Sequence, residues 1–469
     1  MRKVLMCGVM AGALAGCSLI PEMETPDAPV AQAWPEGPAY AASAADARPF
    51  ADLGWSRVFQ VPELQRLIEA AIANNRDLRV AALNVEAARA TYRITRADLF
   101  PEVDAAASGT RGRTPADLTS AGRAVTSGTY SANLGSTAFE LDFFGRVRSL
   151  EAAALEQFLA TEEARADAEI ALVAEVAQAW LTWQADRTLL RLAEDTFSTR
   201  SQSLELVTAR FGNGVATRLD VAQARASLET ARVARVGYIR AVAQDRNALE
   251  LLIGRPLAAD EAADAEIAGA VALPPVGTSS DVLLRRPDIR EAEHSLRAAN
   301  ADIGAARAAF FPTISLTGSL GVSSASLGNL FEGGARTWSF GPNLSVPIFT
   351  AGRTQANLDA ARIARESAVA TYEKTIQTAF REVADALAAR ATLVDEIAAQ
   401  GDLVAADREA LELSQRRYER GVADYLDVLD AQRELFAAQQ SEISLRLQEA
   451  ANLVALYKAL GGGAEKPAS

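Results

Sequence analysis

The stretch Phe311-Pro312-Thr313-Ile314-Ser315-Leu316-Thr317-Gly318-Ser319-Leu320-Gly321-Val322 decides how the rest of the chain is read. Its proline closes the helical run Ala308-Ala309-Phe310, because proline cannot donate the next helical bond and clashes with the preceding turn. Beyond it the period becomes two: Ile314, Leu316, Gly318, Leu320 and Val322 alternate with Thr313, Ser315, Thr317, Ser319 and Gly321. Such alternation makes a strand with one apolar and one small polar face. A second run repeats it, with Trp338, Phe340, Pro342, Leu344, Val346 and Ile348 set against Thr337, Ser339, Gly341, Asn343 and Ser345. At about ten residues each, the runs have the length that crosses a bilayer at a tilt. Taken alone they read as a soluble hairpin half buried on a core. The N-terminus changes that reading.

Arg2 and Lys3 precede a short apolar run at 4–14, which leads to Leu14-Ala15-Gly16-Cys17. A basic start, an apolar run of about ten residues and a small-residue exit describe a secretory signal peptide, too short to span a bilayer as a helix. Leu-Ala-Gly-Cys resembles the bacterial lipobox. That resemblance implies cleavage before Cys17, a diacylglycerol and an N-acyl chain on Cys17, and, with Ser18 behind it, sorting to the outer membrane. Cys7 would leave with the leader, so the mature chain could form no internal disulfide. Residues 21–49, rich in proline, alanine and acids, read as a PPII-like tether.

Outward from the strands, the chain is a duplication. Phe311-Pro312 matches Phe100-Pro101, and Gly352-Arg353 matches Gly145-Arg146. Arg210-Phe211-Gly212-Asn213-Gly214-Val215-Ala216 returns as Arg417-Tyr418-Glu419-Arg420-Gly421-Val422-Ala423. Each half finishes at a glycine, Gly254 and Gly461, at the same separation from its opening glycine. The order within a half is a helix (63–99, 281–310), a strand pair and a very long helix (146–210, 353–420), followed by a returning helix (219–252, 426–460). Pro62 suits a first helical turn. In the first half the alternation is fainter, ending on Phe139, Leu141 and Phe143. The run 146–210 holds no proline or glycine and would extend about 100 Å as helix. Helices of that length mean coiled-coil packing or a long conduit.

Composition removes most other classes. Of the 469 residues 49% are hydrophobic and 23% charged, so neither disorder nor a polytopic helical membrane protein fits. A net charge of −13 offers no basic stripe for nucleic acid. The one histidine, His294, leaves metal sites and proton relays without material; it reads as a solvated or packing position. No Gly-x-x-x-x-Gly-Lys-Ser/Thr loop is present. Neither an enzyme, a metal site nor a cofactor is expected.

Four strands cannot close a barrel, since the smallest transmembrane barrels use eight. An open edge in lipid leaves backbone groups unpaired at several kcal/mol each, so several copies must share one barrel. With Glu140-Leu141-Asp142-Phe143-Phe144-Gly145-Arg146, Pro347-Ile348-Phe349-Thr350-Ala351-Gly352-Arg353, Tyr425-Leu426-Asp427-Val428-Leu429-Asp430-Ala431-Gln432-Arg433 and the closing Leu456-Tyr457-Lys458-Ala459-Leu460-Gly461-Gly462-Gly463, the chain resembles the TolC/OprM family of outer-membrane efflux channels. The lipobox resembles that of its OprM/NodT-like lipoprotein branch. The resemblance implies a mixed, predominantly α fold with a transmembrane β-barrel contribution. It implies a homotrimer whose twelve-stranded barrel in outer-membrane lipid continues as a twelve-helix α-barrel through the periplasm. It implies a passive role beside a periplasmic adaptor (membrane fusion) protein and an inner-membrane RND-type pump, exporting small molecules. A conduit for type I protein secretion and a non-porous coiled-coil scaffold lipoprotein are the alternatives. The expected divisions are a signal peptide at 1–16, a lipidated N-terminus and tether at 17–50, repeats at 51–254 and 281–461, an equatorial linker at 255–280 between them, and a tail at 462–469.

The residues of interest follow the second long turn. Asp427 and Asp430 lie three apart on a helix and share a face. By motif, the resemblance implies that Leu426, Asp427, Asp430 and Arg433 form the periplasmic gate and that Tyr418 and Asp220 tie the two hairpins of one chain. Ala423 stands where the TolC branch has an arginine, so a latch between chains must lean on Arg433. A helix-start acid favoured by the macrodipole is the plainer account of Asp427.

Overall fold

The computed structural model describes residues 18–40, 54–120, 122–258, 261, 264–272 and 279–462. The signal peptide and Cys17 lie outside the described residues, as do 41–53 and most of the tail. Eleven labelled elements follow in chain order: α1 (Pro62–Asn74), α2 (Arg76–Ala97), β1 (Asp104–Thr114), β2 (Val125–Glu140), α3 (Arg146–Gly212), α4 (Arg218–Ile253), α5 (Pro287–Ala308), β3 (Thr313–Ser324), β4 (Arg336–Ser345), α6 (Arg353–Glu419) and α7 (Tyr425–Ala459). Single turns occur at Trp55–Val58, Ala116–Leu118, Ser280–Arg285 and Leu327–Asn329. The chain forms two compact units. The first comprises Val85–Thr161, Glu291–Tyr372 and the described part of Met1–Asp27; the second takes Ala28–Asn84, Glu162–Arg290 and Glu373–Ser469.

The first unit carries one antiparallel sheet in the order β1-β2-β3-β4. Its register puts Leu134 opposite Leu320 and Leu320 opposite Trp338. The apolar residues therefore line one face, and Trp338, Phe340 and Leu344 are exposed there. Across the other face run Ser108 and Ser131, with hydroxyls 2.9 Å apart, and Ser319 and Ser339 at 2.7 Å. The faint alternation of β2 has a cause. A bulge between Ser136 and Phe139 shifts the register, and Ala138 adopts φ 55°. The apolar positions are even-numbered before the bulge and odd-numbered after it, so Leu134 and Phe139 reach the same face. Strand β4 ends at Ser345 rather than running to Ile348, because Pro347 cannot donate to a continued ladder. Both strand-to-helix junctions turn on a left-handed glycine, Gly145 at φ 74° and Gly352 at φ 83°. At the first, Arg146 Nε and Nη2 donate to Glu140 at 2.9 and 2.5 Å, and Phe144 stacks on Phe311 at 4.8 Å.

The long helices occur as expected, but the helix opening each half is broken where the sequence reads as continuous. Asn75 separates α1 from α2 with ψ 135°; its Oδ1 accepts from Leu78 N at 2.9 Å and its Nδ2 donates to the Leu252 carbonyl at 2.9 Å. In the second half Ser280–Arg285 is a 3₁₀ turn, and Arg286, held extended by the following Pro287, delays α5. Each break receives the closing glycine of its own half. A Cβ on Gly254 (φ 70°) would lie 2.6 Å from the Asn74 carbonyl oxygen; one on Gly461 (φ 86°) would lie 3.2 Å from Arg286 Cγ. Arg286 is buried and held by Asp288, Glu382 and the Ala459 carbonyl, to which its Nη1 donates at 2.7 Å. The core around these breaks is Leu64, Leu67, Ile68, Trp180, Leu249, Ile253 and Tyr457.

Gly254→Ala should therefore cost about 3 kcal/mol, combining the left-handed penalty with a backbone clash. Gly237→Ala on α4, where a Cβ meets nothing within 4 Å, should be neutral or mildly stabilising. Denaturant midpoints of the detergent-solubilised protein check the pair; equal midpoints would remove the role given to Gly254.

Candidate functional site

The two long helix pairs turn by the same device. In the first, Gly214 (φ 75°) donates to the Phe211 carbonyl at 3.0 Å and Val215 to the Arg210 carbonyl at 2.9 Å. In the second, Gly421 (φ 70°) donates to the Tyr418 carbonyl at 3.0 Å and Val422 to the Arg417 carbonyl at 2.9 Å. This double bond pattern around a left-handed glycine satisfies the last helical carbonyls. It explains why Gly-Val-Ala occurs at both tips.

Beyond the turns the tips pack together. Val207 of α3 and Ala224 of α4 meet Tyr425, Val428 and Leu429 of α7, flanked by Leu204, Val221, Leu411 and Tyr418. Tyr418 lies 5.2 Å from the Tyr425 ring, and the Arg210 guanidinium covers Tyr418 at 4.4 Å. Burial raises the Tyr425 phenol above its ordinary value, with Tyr418 adding to the effect. Arg200 of α3 is buried, donates to the Ser227 carbonyl at 3.0 Å and sits over Phe436. Burial and the neighbouring Arg433 push it below the usual arginine range.

Of the residues singled out by sequence, Asp430 and Arg433 form an ion pair one turn apart on α7. Both are substantially exposed, so the pair contributes little to stability. Leu426 and Asp427 are exposed beside them. The Asp220 carboxylate accepts from Thr217 N at 2.7 Å and Thr217 Oγ1 at 2.9 Å, while Asp220 N donates back to Thr217 Oγ1. That is a capping box at the start of α4. Tyr418 meets Tyr425 and Arg210. His294 is a packing position, its Nδ1 2.7 Å from Glu156 Oε2 and largely shielded.

Further along the first pair, Asp186 of α3 and Asp245 of α4 face each other. Burial, with the Asp186 charge adding, lifts Asp245 to about 6, and burial lifts Asp186 as well. Asp245 Oδ2 is buried, and the side chain facing the Asp245 carboxyl is that of Asp186, with which a shared proton makes a hydrogen bond. Because the folded value exceeds the unfolded one near 3.9, the pair's contribution is intact below about pH 4 and is lost as pH rises through about 6. Asp245→Asn should raise stability at pH 7.5 by about 1 kcal/mol, allowing for solvent screening, and leave it unchanged near pH 4. Urea midpoints at the two pH values test this; an identical gain at both refutes the assignment.

The family model described as outer membrane efflux protein matches residues 67–255 and 278–462. The chain is 52% identical over 463 residues to the toluene efflux pump outer membrane protein TtgC of Pseudomonas putida, covering 98% of this chain and 96% of that protein. Among solved structures, a membrane protein from Pseudomonas aeruginosa is 47% identical with a TM-score of 0.89, covering 97% and 99% of the two chains. The open state of the MtrE outer membrane channel of Neisseria gonorrhoeae is 40% identical with a TM-score of 0.87, covering 95% and 98%.

Proposed function

Since the chain belongs to the outer membrane efflux protein family, we propose that its working form is a trimer with a closable periplasmic mouth. As a member of that family it is the outer-membrane channel of a tripartite efflux system that exports small molecules. It is a passive conduit and not an enzyme.

The sheet carries the trimer. Four strands leave β1 and β4 with one unpaired edge each among the described residues, and such edges are untenable in lipid. Three chains supply twelve strands. The duplication says how they join, because the β2–β3 junction within a chain is the pattern for a β4–β1 junction between chains. At the internal junction Phe144 stacks on Phe311 and leaves it 41% exposed. Phe100, the counterpart of Phe311, is 66% exposed, and Ile348 and Phe349 after β4 are each 89% exposed. A neighbouring copy would cover them.

Lipid on Cys17 would anchor the assembly in the outer membrane. A periplasmic adaptor and an inner-membrane RND-type pump would complete it. Leu426, Asp427, Asp430 and Arg433 from three copies would line the mouth, with Tyr418 and Asp220 shaping the tips behind them. Native mass measurement after mild detergent extraction should report three chains. A stable monomer would remove the arrangement.

A further inference from the structure

Residues 18–34, which read from sequence as the start of a tether, are engaged along their length. In the first unit Arg307 Nη1 donates to the Leu19 carbonyl at 3.2 Å, Asn300 Nδ2 donates to the Pro21 carbonyl at 2.9 Å, and Thr25 Oγ1 donates to Glu293 Oε1 at 3.4 Å. Residues 293, 300, 304 and 307 fall on one stripe of α5 at helical spacing. Gly304 completes the stripe. A Cβ there would lie 2.6 Å from Ser149 Oγ and 2.7 Å from Ile20 Cγ1, so Ile20 can seat only against a glycine. Ser149 cannot give way easily, since its hydroxyl donates to the Gly145 carbonyl at 2.6 Å. Asn300 is only 4% exposed, and its Oδ1 is buried without a partner.

The second unit holds the same segment further on. Ser280 Oγ donates to the Ala31 carbonyl at 2.6 Å and Ser280 N to the Gln32 carbonyl at 2.9 Å. Trp34 is buried and stacks on Phe380 at 5.3 Å. In these four backbone contacts, at Leu19, Pro21, Ala31 and Gln32, the body donates and the segment accepts. That suits a segment with prolines at 21, 26 and 29, which carry no N–H to leave unsatisfied and are already extended. The composition that suggests a spacer is also that of a strap held largely through its carbonyls, with Thr25 adding one side-chain donor.

We propose that the α5 stripe of Asn300, Gly304 and Arg307 is a receptor groove for the chain's own N-terminal segment, and that its occupancy fixes where the Cys17 lipid enters the membrane. The second half rests on the lipid-anchor reading. Arg307 grips Leu19 one residue before α5 ends, six residues before β3 begins, and Cys17 is two residues before Leu19 in the sequence. Two extended residues span about 7 Å. A lipid on Cys17 would thus stay within about 7 Å of Leu19, near the start of β3, whereas a free tether would let it wander.

The experiment uses the full-length protein carrying Ile20→Cys as a thiol probe, alone and combined with Asn300→Ala/Arg307→Ala or with Gly304→Leu. Maleimide labelling in membranes should be at least tenfold faster in both combinations. Palmitate uptake should be unchanged in them, and the assembled fraction in the outer membrane should fall severalfold. The paired alanine variant leaves the packing of Gly304 untouched, so the test survives if Gly304→Leu fails to fold. Unchanged labelling in the paired variant would overturn the groove. Faster labelling with wild-type assembly would overturn the link to anchoring. Absence of palmitate from the parent protein would overturn the anchor reading, while the labelling rates would still decide whether the groove holds the strap.

Discussion

A Phe340→Arg variant should lose most of its outer-membrane assembly while keeping its helices. Phe340 is 66% exposed on the apolar face of the sheet, opposite Gly318 and in line with Trp338 and Leu344. On the proposed arrangement that face meets lipid, where an arginine near the bilayer midplane costs about 2–4 kcal/mol per copy. Three copies bear the cost together, about 6–12 kcal/mol, which is comparable to the whole stability margin of an ordinary domain. Assembly is read as the fraction of heat-modifiable oligomer in the membrane, and helix content by circular dichroism. Ser339→Asn, on the opposite face beside Ser319, should assemble normally. If Phe340→Arg assembles as well as the parent, lipid does not lie against this face.

The second large effect concerns the mouth. In a threefold assembly Asp427 and Asp430 would set six carboxylates around one opening, and like charges so close repel unless countered. Arg433, already paired with Asp430 within the chain, is the counter-charge at hand. Replacing Asp430 and Arg433 together by alanine removes that pair and one acidic ring. Single-channel current in a planar bilayer should rise severalfold and cation preference should weaken, as expected when an acidic ring is lost from a pore. Trimer assembly should be intact, since the core of Val207, Tyr425, Val428 and Leu429 is untouched. A double variant that conducts and selects like the parent would place the constriction elsewhere.

How much of this was legible in the sequence differs from element to element. Strands β3 and β4 were legible because their alternation is nearly unbroken; β2 was blurred by a bulge, which a reading of strict period two cannot follow. The break at Arg286 had a local signal, the proline after it. The break at Asn75 had a weaker one, an asparagine that caps α2 through Leu78 N, while the residues that fix it from outside, Leu252 and Gly254, are far away in sequence. At the site, Asp430 and Arg433 pair at the i, i+3 spacing of one helix face, and Thr217-x-x-Asp220 carried a capping-box signal that the reading of Asp220 did not use. The burial of Arg200 over Phe436 and the ring contact of Tyr418 with Tyr425 depend on helices brought together by tertiary packing. The strap was hidden for the opposite reason, since recognition through backbone carbonyls leaves almost no mark on side-chain identity.

The docking of each closing glycine into its own half has a consequence in time. Gly254 completes the first half at Asn74 without any residue of the second, so that closure is available as soon as the chain has been delivered that far. The sheet has no such independence: β2 must wait for β3, and pairings so distant in sequence form slowly. During refolding, amides of α1 should gain protection from hydrogen exchange before those of β2, and the reverse order would contradict this schedule. A protein that crosses an aqueous compartment before reaching its bilayer thereby makes its greasiest surface last, when the membrane that will cover it is near.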